Sequence, residues 1–225
     1  MPYLFYDIPS MIIFLPALIL SIYAQFKVQS TFSRYMRIGN RGGYTGAEVA
    51  RRILDSQGLH DVPVTTVGGY LSDHYDPRKK VLRLSEDVYR GRSIASIGVA
   101  AHEAGHAVQH ANGYAPLNIR NAIVPIASFG SQASFIFILL GLMVGSGTTL
   151  LNIGIYLFLA VVAFQLVTLP VEFNASSRAI ALLNSQGFVM GSDERGVRKV
   201  LSAAALTYVA AAASAISQLL RLLMI

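Results

Sequence analysis

Three mostly apolar, uncharged runs, Ile8 to Phe26, Ala122 to Gly145 and Leu150 to Leu169, limit what this chain can fold into. Each is about as long as the roughly 20 residues that a helix needs to cross the hydrocarbon of a bilayer. A fourth run, Val200 to Ile225, is rich in Ala and Leu with one late charge, Arg221, and reads as a further span or a helix lying on the membrane. With 53% apolar residues and a mean hydropathy of +0.50, the 225-residue chain departs from a soluble globule toward a membrane protein. The first run has no basic residue before it and carries Asp7, an interface residue on this reading; without a small-residue cleavage pattern it is a retained anchor.

Charge is distributed in the same terms. Of 18 Lys and Arg, 13 fall between Lys27 and Arg120, four between Arg178 and Lys199, and Arg221 is the last. A net charge of +6 also suits nucleic-acid binding, but cations flanking the spans follow the positive-inside rule. Lys27, Arg34, Arg37 and Arg41 follow the first span and Arg120 precedes the second, so both charged segments are expected in the cytoplasm and nucleic acid is not an expected partner. The N-terminus then lies outside, with an outer turn at Gly145 to Thr149, and the C-terminus does too if the last helix spans. Cysteine is absent, which excludes disulfides and thiolate metal sites. Any metal must be held by His and carboxylate.

Between the first two spans the pattern changes. "TGAEVARRILDSQGL" reads as a helix capped by Thr45, with Glu48 completing a capping box, Val49, Ile53 and Leu54 on one face, and Gly58 at its end. "VPVTTVGGYLSDHYDPRKKVLRLS" is rich in β-branched residues, and two extended segments, about Val62 to Gly68 and Val81 to Leu84, joined by a turn-rich loop, predict a small sheet. Ser85 starts a short helix. Ser93 starts a longer one that ends at Asn112-Gly113.

That longer helix carries "VAAHEAGHAVQHANG". Residues four apart share a helix face, so His102 and His106 can address one ion, while Glu103 sits at the flank as a general base for the attacking water. This H-E-x-x-H arrangement belongs to zinc peptidases, and catalytic zinc takes a third protein ligand. His110 lies about 12 Å along the axis from His102, too far to converge. Downstream of Arg120 the carboxylates are Glu172, Asp193 and Glu194. Asp193 and Glu194 sit in a polar "GSDERG" turn and read as solvated loop residues. Glu172 follows Pro170 at the end of the third span, where two intervening spans return the chain to the compartment of the His helix and where a carboxylate is costly unless paired or metal-bound. It is the favoured third ligand.

"SDHYDPRKKVLRLS", "GVAAHEAGHAVQHANGYAPLNIRNAIVP" and "EFNASSRA" resemble the YugP-like neutral zinc metallopeptidases of bacterial membranes, over nearly the whole chain. The layout of anchor, zinc domain, two spans and downstream glutamate is also similar to the HtpX-like membrane proteases. The resemblance implies Zn2+ held by His102, His106 and Glu172, with Glu103 as catalytic base. It implies a mainly α membrane protein with a zincin-like α+β metallopeptidase domain, a small β-sheet and about four transmembrane helices. The segments are then an anchor at 1–26, a cytoplasmic zincin-like domain at 27–120, two spans at 121–170, a cytoplasmic segment with the third ligand at 171–199, and a membrane helix at 200–225. One position departs from the HtpX-like pattern: four residues after the ligand glutamate, those proteins carry aspartate and this chain has Ser176.

The activity implied is hydrolysis of polypeptides, membrane proteins among them, at the cytoplasmic face of the bacterial inner membrane, with a role in membrane-protein quality control. For the group that steadies the oxyanion, the candidates are His74 and Tyr75, in the loop before the second strand, and Arg178. His74 has an alternative reading as a loop histidine bonded to Asp73 or Asp76. His110 fits a supporting role at the helix end. The competing function is a non-catalytic membrane scaffold or chaperone partner with a structural zinc site. Oligomeric state is not legible here.

Overall fold

The computed structural model describes residues 8–145 and 147–224, so Asp7 and the second residue of the expected outer turn, Ser146, lie outside the described residues. The described chain is mainly α. In order it runs α1 (Ile8–Met36), α2 (Gly46–Ser56), β1 (Val64–Val67), β2 (His74–Asp76), β3 (Val81–Ser85), α3 (Glu86–Tyr89), α4 (Ile94–Ala111), α5 (Ala115–Val144), α6 (Thr149–Ser185) and α7 (Ser192–Leu223). Helices α1, α5, α6 and α7 are each long and apolar enough to cross a membrane.

Two compact units are built from these elements. The first comprises the described parts of 1–25, 115–170 and 207–225; the second comprises Phe26–Tyr114 and Val171–Leu206. In the first unit small residues let helices approach closely. A Cβ added at Gly130 would stand 2.9 Å from the Leu157 carbonyl oxygen, and one at Gly141 would stand 2.6 Å from the Leu151 nitrogen, so α5 and α6 pack nearly backbone to backbone there. Polar side chains join α1 to α7: Ser21 Oγ lies 2.9 Å from Ser214 Oγ, and Ser217 Oγ donates to the Ile13 carbonyl at 2.8 Å. Large apolar side chains such as Ile12, Phe129 and Tyr156 face outward, as lipid-facing positions require.

The second unit has a conventional core. Thr45 Oγ1 accepts from the Glu48 N–H and the Glu48 carboxylate accepts from the Thr45 N–H, so the capping box expected at the start of α2 is formed. Its apolar face buries Val49, Ile53 and Leu54 with Leu82 and Leu84 of β3 and Ile97 of α4. Ser93 caps α4, and Gly113, at φ +61°, ends it in the left-handed region that glycine adopts without strain. Along the buried side of α4 run Ala95, Ala100, Ala101, Ala104 and Ala107, side chains small enough to let neighbouring elements close in.

The sheet has one strand more than the sequence indicates. Its order is β1-β3-β2, with β1 parallel and β2 antiparallel to β3, so His74 and Tyr75 lie on a strand and not in a loop. Flanking Gly-Gly and Asp-Pro turns and a length of three residues hide the alternation by which a strand is normally read. Asp73 fixes the entry to β2, its Oδ1 accepting from the Ser85 N–H at 2.7 Å and from Ser85 Oγ at 3.0 Å. The Ser85 hydroxyl therefore makes no cap to α3, although Ser85 precedes that helix as expected. Helix α6 continues through Pro170 to Ser185, so Glu172 stands within a helix.

Candidate metal centre

Helix α4 brings His102 and His106 onto one face, and α6 brings Glu172 against them. Glu172 Oε2 lies 3.2 Å from His102 Nε2 and 3.5 Å from His106 Nε2, and the three donor atoms all fall within 4.8 Å of one another. Zinc bonds of about 2.0–2.1 Å at tetrahedral angles set ligand atoms about 3.3–3.4 Å apart, close to the two separations that Glu172 makes with the histidines. Glu172 and His106 are buried and His102 nearly so, at 12% side-chain exposure.

The ring orientations bear on the same question. Gln109 is fully buried, and its Nε2 donates to the Val171 carbonyl at 2.8 Å and to Asn174 Oδ1 at 2.9 Å. Its Oε1 is thus the atom 3.0 Å from His106 Nδ1, and a carbonyl oxygen only accepts. His106 must carry its proton on Nδ1, leaving the Nε2 lone pair aimed at Glu172. On His102 the Nδ1 faces Ser176 Oγ at 3.2 Å, a hydroxyl that can donate or accept, and Nε2 faces Glu172 Oε2 at 3.2 Å. A neutral His106 with its proton on Nδ1 turns an Nε2 lone pair toward the Glu172 carboxylate, an arrangement that a cation between them would satisfy. The donor set, two imidazoles and one carboxylate, suits zinc.

Ser176 occupies the position where the HtpX-like pattern has aspartate. It brings a hydroxyl, not a carboxylate, to His102 Nδ1. On the other ligand the support is longer: Arg178 Nε donates to Asn174 Oδ1 at 2.7 Å, Asn174 holds Gln109, and Gln109 holds His106. Outer partners of this kind fix ring orientation and ligand basicity. Arg178 therefore ties into the ligand support, with its guanidinium 6.0 Å from the Tyr114 ring.

Glu103, at 9% exposure, accepts the Tyr75 N–H on Oε2 at 3.0 Å, which joins the edge strand β2 to α4. Burial pushes its carboxyl above the ordinary range; His106 and His102 pull it down, while Glu172 and Asp73 push it further up. The Tyr75 hydroxyl reaches His110 Nδ1 at 2.9 Å, so the Tyr75 side chain lies toward α4. Burial, with Asp61 and Asp76 nearby, pushes that phenol up to about 12 and keeps it protonated at neutral pH. Side chains alternate along a strand, and His74 takes the other face. It contacts the Ser72 carbonyl at 2.7 Å and Arg83 at 3.4 Å, neither Asp73 nor Asp76. His110 thus partners Tyr75 and stays away from the ligand group. Both competing carboxylates are occupied elsewhere: Glu194 pairs with Arg198, and Asp193, buried and not solvated as its turn suggested, accepts the Arg41 N–H at 2.9 Å.

The "Putative neutral zinc metallopeptidase" family profile matches residues 10–225. The chain belongs to this family. It is also 56% identical over 209 residues, covering 93% of this chain and 92% of the relative, to "Putative membrane protease YugP" of Bacillus subtilis (strain 168). No solved structure matches the chain. A family of zinc peptidases and a membrane-protease relative agree with a His-His-Glu group suited to a metal and with four apolar helices.

Gln109, Asn174 and Ser176 complete the centre and were not selected as functional from sequence, although all three stand in the stretches that carried the family resemblance. Gly105, between the ligand histidines, explains how α6 comes so near. A Cβ there would meet the Ala175 carbonyl oxygen at 2.9 Å. Gly105→Ala is therefore expected to displace α6 from α4. The gain in helix propensity, about 1 kcal/mol, is smaller than the roughly 1–3 kcal/mol cost of overpacking against backbone. The variant should unfold at lower temperature and hold zinc more weakly, read by thermal melting and metal titration. A variant that melts above the wild type would refute the close approach.

Proposed function

We propose that this protein is a membrane-embedded zinc metalloendopeptidase in which His102, His106 and Glu172 hold the ion and Glu103 is the general base. The observation that carries this reading is the convergence of three donor atoms from α4 and α6 within 4.8 Å of one another, beside a buried glutamate. What zinc supplies at such a site is Lewis acidity, polarising the scissile carbonyl and lowering the pKa of the attacking water toward neutrality. Glu103 Oε2 is engaged by the Tyr75 N–H, so Oε1 takes the proton from that water and hands it to the departing amine. Its raised pKa suits an atom that must both accept and return a proton.

Strand β2 pairs with β3 on one side, and on its other edge the Tyr75 N–H is held by Glu103, so a polypeptide substrate laid along that edge would lie beside the base. Of the candidates for steadying the oxyanion, Tyr75 lies on the α4 side of β2 but would have to leave His110 to reach a substrate oxygen, while His74 lies on the opposite face. Gln109, Asn174, Ser176 and Arg178 orient the ligands. Cations after the first span and before the second support a cytoplasmic placement of 27–120 and 171–199 in a bacterial inner membrane, with membrane proteins under quality control among the substrates.

Stripping and reloading the metal tests the reading. Protein purified in detergent should contain about one zinc per chain and cleave an unfolded membrane polypeptide. A strong chelator should abolish cleavage and lower the melting temperature, and stoichiometric zinc should restore both. Zinc bound with no cleavage of any polypeptide would favour the scaffold. Absence of tight zinc would refute the centre itself.

A further inference from the structure

A groove of about 530 Å³ runs between α1 and α7 in the second unit, and nothing in the peptidase mechanism uses it. Lys27, Thr31 and Arg34 line it from α1; Arg198, Lys199 and Ser202 line it from α7. The spacings repeat: 27, 31 and 34 share one face of α1, as 199, 202 and 206 share one face of α7, so each helix presents cations and hydroxyls as a stripe. No acidic side chain lines the groove. Arg198 is paired with Glu194, but among the described residues Lys27, Arg34 and Lys199 form no ion pair. Tyr35 also lines the groove; it is otherwise buried at 8% exposure, and its hydroxyl has no hydrogen-bond partner among the described residues.

Three uncompensated cations around a concave surface repel one another, and an anion relieves them. Which anion follows from the sequence on either side. Lys27 comes directly after an apolar run ending at Phe26, and Leu206, the last lining residue of α7, comes directly before Thr207 and the apolar remainder of that helix. Such a groove meets its ligand at the level where apolar chain gives way to polar, the level of phospholipid headgroups. Lys and Arg bind the phosphate there by charge, and Thr31, Ser202 and Tyr35 supply hydroxyl donors.

We propose that this groove binds the phosphate headgroup of an anionic phospholipid. Bound lipid should stabilise the folded chain, because the folded groove binds it and the unfolded chain does not.

The test uses the full-length protein in neutral detergent at physiological salt, melted with added phosphatidylglycerol, phosphatidylcholine or inorganic phosphate. Phosphatidylglycerol should raise the melting temperature by about 5 °C over equal phosphatidylcholine, and inorganic phosphate should leave it unchanged. The variant K27Q/R34Q/K199Q should melt like wild type without lipid, since its changes are exposed, and should lose the phosphatidylglycerol shift. R78Q/K79Q/K80Q, which removes three exposed cations from the β2–β3 turn, should keep the shift. If the first triple variant fails to fold, R34Q and K199Q singly should each weaken the lipid about fivefold. Equal shifts with both lipids, a shift retained by K27Q/R34Q/K199Q, or an equal loss in R78Q/K79Q/K80Q would overturn the groove. A shift reproduced by inorganic phosphate would overturn the lipid as its occupant.

Discussion

Glu103→Gln should lower peptide cleavage by about 10²–10⁴-fold and leave bound zinc unchanged. The substitution keeps the shape and an oxygen able to accept the Tyr75 N–H, the contact that seats residue 103 against β2. It removes the group that takes the water's proton. A base and a ligand behave differently here: loss of a ligand empties the centre, whereas loss of the base leaves it loaded and inert. Turnover of an unfolded membrane polypeptide, measured beside zinc per chain, separates the two. Full activity in the variant would remove Glu103 from the mechanism. Lost zinc would make it a ligand.

Glu172→Ala should lower zinc affinity by more than about 100-fold, beyond the 10–100-fold typical of the groups that orient ligands. Two imidazoles remain, contacted by Gln109 and Ser176, but the negative charge that balances the ion and the third donor are gone. Glu172→Gln keeps a neutral oxygen and should fall between the two. Asp193→Asn and Glu194→Gln should hold zinc as wild type does, because Asp193 is engaged by the Arg41 N–H and Glu194 by Arg198. Metal titration against a competing chelator reads all four. Zinc retained in Glu172→Ala would show the third ligand to be misassigned.

Particular residues show how far the sequence carries. Helices α1, α5 and α6 declare themselves by apolar length and α2 by its capping box, because each signal depends on neighbours within a turn or two. His102 and His106 are legible for the same reason, and Glu172 because downstream carboxylates are so few. The Gln109 contacts are another matter: its partners Val171 and Asn174 lie 62 and 65 residues away, and which side chains meet depends on the register of α4 against α6. Gly105 sets that register by what it lacks, a property that reads in sequence only as permissive. Strand β2 was missed because three residues between turns carry no period, and its identity as a strand comes from pairing with β3.

Helix α6 has a consequence for biosynthesis. On the proposed assignment, Glu172 is made 70 residues after His102, and between α4 and α6 lies α5, a helix long and apolar enough to cross a membrane. A nascent chain exposes both histidines and the base while the third donor is still unmade. Chains stalled on the ribosome, truncated, or arrested before their second and third spans insert therefore have an incomplete centre. On the proposed assignment, competence to cut would depend on synthesis of the chain through α6, the helix that carries the third donor.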